Sequence, residues 1–254
     1  MPPAFATAPS ARLRGGVLGL ITLIGISSSP AYAAGTDMAL AFDLAEMLRA
    51  GRTVVSGNQA LINDPAIGDK GFTGEVLVSE AEVLYENRAG VAGADTSERD
   101  QRLLEAQKMA MRQVVDAHQS DINVEGVGFK GFIPAVFARL SNDAFKSLAG
   151  SEARIRVTAP PDLVRNRKSR PDAWESEIIS TKFMGTDWPR GEPYTEVVEY
   201  EGRPAFRMLL PEYYLESCLS CHGAPKGETD ITGYPKEGGK EGDLGGAISI
   251  IVFQ

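Results

Sequence analysis

The first half of the chain carries apolar residues at helical spacing. They recur every three or four positions from Thr36 to about Asn63, which predicts a long N-terminal helix ended by the Asn-Asp-Pro sequence. The same spacing predicts three further helices, over 73–90, from Thr96/Ser97 to about Ile122, and over 133–150. A glycine-rich turn, 126–132, separates the last two, and no internal repeat is evident along the chain.

After residue 150 the pattern changes to strands. Residues 153–157 alternate with period two, and 195–210 reads as two strands joined at Glu201-Gly202. A continuous apolar run at 245–253 is typical of a strand buried inside a sheet. With a short helix from Asp172 to about Thr181, these elements predict an α+β fold in which a small, mostly antiparallel sheet follows a helical half.

The N-terminal residues have the features of a secretory signal peptide. Arg12 and Arg14 precede a short apolar run, 17–26, and Ala31-Tyr32-Ala33 fits the pattern of a cleavage site. An apolar run of this length is too short to cross a bilayer, for which about 20 residues are needed. We therefore expect a signal peptide over 1–33, a periplasmic protein with no stable membrane anchor after cleavage, and one domain over 34–254. That domain divides into a mainly helical part, 34–150, and a part with the sheet and the candidate site, 151–254.

The composition excludes some classes of partner. The chain has 26 basic and 34 acidic residues and a formal net charge of −8, and loss of Arg12 and Arg14 would take it to about −10. Nucleic acids and anionic membranes are bound by positive surfaces, so we expect no nucleic-acid partner.

The only two cysteines lie in one short motif, Cys218-Leu219-Ser220-Cys221-His222. Cysteines three residues apart followed by histidine form the attachment pattern of c-type haem, in which both thiols bind the porphyrin and the histidine binds the iron. The alternatives are a redox dithiol, which usually lies within a βαβ unit, and a zinc site, which needs four ligands. We predict one covalent haem c on Cys218 and Cys221, with His222 as the proximal iron ligand.

The second axial ligand stays open. His118 is the only other histidine and lies on the apolar face of the third predicted helix, where a core histidine bonded to a carbonyl is the simpler interpretation. Met111 shares that face and is the alternative ligand. Other methionines are further candidates, although core packing is the simpler interpretation of each: Met47, Met109, Met184 and Met208. The last alternative is an iron whose distal position is not occupied by a protein ligand.

Two further segments of the chain are candidates for cofactor contacts. The loop of about twenty residues between His222 and the last strand is long enough to wrap a cofactor. The basic connector with Arg165, Arg167, Lys168 and Arg170 offers partners for haem propionates, although a solvated connector is the simpler interpretation.

Several stretches together resemble a known family of exported monohaem c-type proteins, formerly catalogued as a domain of unknown function. They are 61–71, 126–140, 155–168, 171–175, 218–223 and 233–250, and "GFIPAVFARL" is far more specific than the haem motif alone. The resemblance implies a PAS-like fold, a small antiparallel sheet flanked by helices with haem c held against it. It supports Cys218, Cys221 and His222. At least one relative has a distal cysteine on the first helix, where this chain has none.

These observations favour a periplasmic electron-transfer cytochrome that serves an unidentified redox partner protein or receptor. The alternative is a haem-based redox or gas sensor that signals to a separate protein, as related domains do in bacterial transmembrane receptors. A sensor needs a segment that passes its signal on, either an output domain or a transmembrane helix. We expect neither in this chain, which favours electron transfer. No acid/base pair lies near the motif, so we do not predict an enzyme. The amphipathic first helix also offers a surface for a homodimer.

Overall fold

The computed structural model describes residues 1, 4, 30–89 and 97–254, with residues 30–34 and 89 described by their backbone alone. The helices are α1 (Pro30–Gly57), α2 (Gln59–Ile62), α3 (Gly74–Ala89), α4 (Glu98–Ala117), α5 (Gln119–Ile122), α6 (Pro134–Ala149), α7 (Ala173–Ile178) and α8 (Leu219–His222). The strands are β1 (Ala153–Thr158), β2 (Tyr194–Tyr200), β3 (Arg203–Tyr213) and β4 (Leu244–Phe253). The predicted α+β class with a long N-terminal helix is confirmed.

All four strands pair antiparallel in the order β1-β4-β3-β2. The turn between β2 and β3 is formed by Glu201 and Gly202, both at positive φ, as the predicted hairpin requires. Strand β4 lies inside the sheet and is buried on both faces, which explains its continuous apolar run.

The main core lies between one face of the sheet and helices α1, α4 and α6. Alternate residues of the two central strands point to this face, and they pack against one side of α1 and against α6. The set comprises Phe206, Met208 and Leu210 of β3, Ile248, Ile250 and Val252 of β4, Leu40, Leu44 and Leu48 of α1, and Phe145 of α6. The opposite face is covered by α7, whose Ile178 packs with Leu209 and Ala247.

A second apolar cluster lies away from the sheet, where the C-terminal half of α1 meets α3, α4 and α6. Here the structure corrects two of the four predicted helices, because the first and the third each divide into a helix and a separate short turn. The breaks fall at Asn58, between α1 and α2, and at His118, between α4 and α5.

The two breaks belong to an internal repeat that the sequence analysis missed. Residues 54–72 and 114–132 align without a gap at an offset of sixty positions, and both end in Lys-Gly-Phe. Their hydrogen bonds are reciprocal: Gln59 donates to the carbonyl of Phe132 at 3.0 Å, and Gln119 donates to the carbonyl of Phe72 at 2.9 Å. The two loops are thus related by an approximate two-fold axis.

The predicted signal peptide lies largely outside the described residues, and its Ala31-Tyr32-Ala33 sequence falls within α1. Within the described part of the chain, no helix is both long enough and apolar enough to traverse a membrane. Export, the periplasmic location and the PAS-like assignment stay predictions.

Candidate functional site

The cysteine motif lies directly after the long strand β3. Leu215 begins a tight 3₁₀ turn over Glu216–Cys218, which continues into the single helical turn of α8. Cys218 and Cys221 are free, half-buried thiols. Residues three apart in a helical turn lie on the same side of it, so the two thiols are available to one ligand.

The surroundings of the motif do not match a redox dithiol of the thioredoxin type. The chain passes from β3 through α8 to β4, and these two strands are antiparallel neighbours, so there is no βαβ unit. A zinc site also lacks its ligands, because the described residues contain no group of three His, Cys, Asp or Glu side chains placed to hold a metal ion.

The imidazole of His222 is held by two neighbours. Its Nδ1 lies 2.8 Å from Oε2 of Glu237, and its ring stacks on the phenol of Tyr214 with centroids 5.0 Å apart and planes 20° apart. Its Nε2 has no hydrogen-bond partner among the described residues, and about 29% of the side chain is exposed. A histidine that binds a metal through one nitrogen commonly binds a carboxylate through the other, and His222 has the carboxylate contact of such a pair.

Arg165 ties the motif to the loop that follows it. Its guanidinium binds both carboxylate oxygens of Glu237, at 2.7 and 3.0 Å, and Oδ2 of Asp230 at 2.6 Å. It also donates to the carbonyl of Cys221 at 2.9 Å. Arg165 is therefore engaged by two carboxylates of the protein, and it orders the motif rather than presenting a free guanidinium.

Both carboxylates of this network are held in their charged forms. Burial by itself raises the pKa of Glu237, but hydrogen bonds from Arg165 and His222 outweigh it and place the pKa below the usual value. Burial likewise opposes ionisation of Asp230, yet hydrogen bonds from Thr232, Arg165 and the backbone of Tyr234 hold its pKa well below the usual value. The sequence analysis identified neither residue. The only feature of the sequence that pointed to them was the acidic, glycine-rich composition of the loop.

Tyr214 packs tightly against backbone. A Cβ atom placed on Gly245 would lie 2.4 Å from its ring, and one on Gly239 would lie 2.6 Å from it. Burial, followed by the nearby charge of Glu237, raises the pKa of Tyr214 to about 12, so the phenol stays neutral at physiological pH. The ring is a fixed apolar support on one side of His222.

The loop of residues 223–243 has more internal structure than its composition indicated. Gly239 donates to the carbonyl of His222 at 2.8 Å, and Gly238 donates to that of Gly223 at 3.1 Å. Thr229 and Pro235 form a short antiparallel bridge. The loop folds back on the motif and delivers Glu237 to His222.

The structure does not bring His118 or Met111, the two main candidates for the distal ligand, into contact with the motif. His118 lies at the α4–α5 break, where its Nδ1 is 2.7 Å from the carbonyl of Val114 and its ring packs on Phe132 at 5.4 Å. Met111 is fully buried in the second apolar cluster, against Gly51 and Phe137. Within the described residues, neither shares a hydrogen bond, ion pair or ring contact with the motif.

Comparison with known proteins gives one match. The model of the Tll0287-like family matches residues 92–252, a range that includes the cysteine motif, the following loop and the sheet. No curated protein and no solved structure matches the chain.

Proposed function

The chain belongs to the Tll0287-like family, and from its site we propose that it binds one covalent haem c through Cys218, Cys221 and His222. The observation that carries the proposal is the state of His222. Glu237 occupies Nδ1, Tyr214 fixes the ring plane, and Nε2 is left without a protein partner in the described structure. These features suit a histidine whose free nitrogen binds iron.

The two cysteines have the chemistry that attachment needs. Each is a free thiol, and each would add across one vinyl group of the porphyrin. A carbon–sulfur bond would form and the thiol hydrogen would go to the other vinyl carbon, so that nothing would be oxidised or reduced overall. A disulfide between Cys218 and Cys221 would prevent this reaction, so the motif must be reduced before the cofactor is attached.

The role that we favour is electron transfer in the periplasm. The bound iron would supply a one-electron redox couple, while the chain holds His222 in a fixed orientation through Glu237, Arg165 and Tyr214. Hydrogen bonds and charge around an axial ligand set the reduction potential, and here the charge nearest to the ligand is a carboxylate. A redox partner protein would exchange the electron, and no catalytic group is needed.

A second candidate function is a haem-based redox or gas sensor acting on a separate protein. It is favoured by the positions of His118 and Met111, because His118 binds the carbonyl of Val114 at the α4–α5 break and Met111 is buried in the second apolar cluster. An iron without a strong distal protein ligand binds exogenous ligands. A PAS-like character of the sheet would suit the same role and is compatible with the observed antiparallel order.

Optical spectra of the holoprotein in both oxidation states, with and without carbon monoxide, test the proposal and separate the two roles. Covalent haem with a low-spin ferrous spectrum that carbon monoxide leaves unchanged supports the electron carrier. A clear shift with the gas supports the sensor. Protein produced with the haem-attachment machinery that lacks a haem spectrum contradicts both.

A further inference from the structure

The loop that follows the motif contains a short hairpin, residues 229–235. Its two ends, Thr229 and Pro235, pair antiparallel. Inside this pair, Asp230 donates its backbone N–H to the carbonyl of Tyr234 at 2.8 Å. The tip is the three-residue turn Ile231-Thr232-Gly233, which ends in a glycine at a φ of 85°. Three-residue hairpin loops commonly end in a residue of this left-handed conformation.

A buried carboxylate holds the tip of the hairpin in one conformation. Oδ1 of Asp230 accepts from the backbone N–H and the hydroxyl of Thr232, at 2.8 and 2.6 Å, and from the N–H of Tyr234 at 3.2 Å. The side chain of Asp230 is fully buried, and its other oxygen binds Arg165 at 2.6 Å. A buried charge that loses its partners is strongly destabilising, so these contacts fix the turn.

The hairpin is attached directly to the cysteine motif. Arg165, which binds Asp230, also donates to the carbonyl of Cys221 at 2.9 Å. The central carbon of its guanidinium lies 5.5 Å from the centroid of the Tyr234 ring, so it contacts the hairpin on a second side. The hairpin is therefore held in a fixed position beside the residues that we propose to bind haem.

The hairpin exposes two large apolar side chains. Ile231 is 66% exposed, more than any other large hydrophobic residue of the described chain after Met1, and Tyr234 is 45% exposed. Turns are usually formed by Gly, Pro, Asn, Asp or Ser, and a β-branched apolar residue at the tip serves no need of the turn itself. A rigid turn that presents an isoleucine and a tyrosine has the features of a recognition surface, where aromatic residues are enriched.

The charges around the hairpin are neutralised within the protein. Lys236 pairs with Glu228 at 3.0 Å at the base of the hairpin, and Arg165 is paired with Asp230 and Glu237. The contact that the hairpin offers is consequently apolar rather than electrostatic. Complexes that transfer electrons have small interfaces, so two apolar side chains would form a large share of one.

We propose that Ile231 and Tyr234 form the docking surface through which the protein exchanges electrons with a redox protein whose own contact surface is apolar. The proposal rests on the haem function proposed above, because a docking surface beside the cofactor shortens the distance that the electron has to cross. A second copy of the holoprotein presents the same surface, and it is therefore a suitable probe.

Electron self-exchange between oxidised and reduced holoprotein, measured by NMR line broadening in mixtures of the two, tests the proposal. Ile231→Ser should slow self-exchange about tenfold or more, as expected when a buried aliphatic contact is lost from both partners. Ile231→Leu should keep the wild-type rate, because the apolar contact remains. Val83→Ser is the matched control, at a valine of α3 that is 56% exposed, and it should also keep that rate.

Three results would overturn the proposal, each in a different way. Equal self-exchange rates for Ile231→Ser and Val83→Ser would show that docking occurs elsewhere on the protein. A changed absorption spectrum of Ile231→Ser would show that Ile231 covers the haem and not a partner. A wild-type chain without haem would refute the proposed function and the docking role together, whereas haem-containing variants with equal rates would refute the docking role alone.

Discussion

Glu237 Oε2 lies 2.8 Å from Nδ1 of His222, and the same carboxylate is bound through both oxygens by Arg165. The histidine of the motif is therefore oriented by a residue fifteen positions away on the far side of a folded loop. A carboxylate at Nδ1 increases the electron density that the imidazole gives to a metal at Nε2, so Glu237 should stabilise the ferric state.

Glu237→Gln should consequently raise the reduction potential of the holoprotein. The neutral amide still accepts a hydrogen bond but supplies less negative charge. A tenfold change in the relative stability of the two iron states corresponds to about 59 mV, and we expect a positive shift of roughly that size in a spectroelectrochemical titration. Glu241→Gln, at an exposed position of the same loop, is the control. Equal potentials for both variants and the wild type would contradict a role of Glu237 at His222.

The buried Asp230–Arg165 pair should make stability depend on pH in the acid range. The pKa of Asp230 is lowered in the folded state, so the pair stabilises the fold above the usual Asp pKa of about 3.8, and this contribution is lost as the pH falls. Asp230→Asn should lower the free energy of unfolding by about 3 kcal/mol at pH 7 and by less below about pH 4.

Urea unfolding of the haem-free chain at several pH values measures this difference. Asp162→Asn removes an exposed carboxylate from the segment just before Arg165 and should change little at any pH. If Asp230→Asn lowered the free energy of unfolding equally at pH 3 and pH 7, the ion pair would not be the cause of the lower stability.

Gly245→Ala should displace Tyr214 from His222. The added methyl group would lie 2.4 Å from the ring on a strand that cannot move away, and overpacking of this kind costs about 1–3 kcal/mol. Gly128→Ala is the matched control, because a Cβ atom there meets nothing within 4 Å. In the Tyr214→Ala background the clash disappears, so the cost of Gly245→Ala should fall sharply in thermal unfolding. An equal cost in both backgrounds would show that the ring is not the obstacle.

His118→Ala should leave the optical spectrum of the holoprotein unchanged. Its ring lies at the α4–α5 break, bonded to the carbonyl of Val114 and packed on Phe132, so its loss should affect stability alone. Circular dichroism and an absorption spectrum of the same sample separate the two effects. A change from low-spin to high-spin iron in a folded variant would instead restore His118 as the distal ligand.

The sequence predicted helices and strands correctly where a single hydrophobic pattern corresponds to a single helix or strand. The apolar run of β4 and the Glu201-Gly202 turn are both where the pattern places them. The breaks at Asn58 and His118 were not predicted, because the short turns α2 and α5 continue the helical spacing of apolar residues. At each break the side chain binds a carbonyl four residues earlier, Asn58 that of Val54 and His118 that of Val114. The glutamine that follows each break binds a carbonyl of the other repeat, and an alignment of the sequence with itself would have indicated this repeat.

The candidate site was predicted only in part for a similar reason. Cys218, Cys221 and His222 form a local motif, and spacing alone identifies it. Glu237, Asp230 and Arg165 come from separate segments, and their charges become partners only when the loop folds back on α8. A single sequence does not specify which of its many acidic residues meets which arginine.

Intact-protein mass spectrometry of chain made with the haem-attachment machinery tests the central claim most directly. Wild type and the conservative Ser220→Ala variant should each carry the mass of one haem that survives denaturation, while Cys218→Ser/Cys221→Ser should carry none. Wild-type chain without the added haem mass, or covalent haem retained by the double serine variant, would contradict the account.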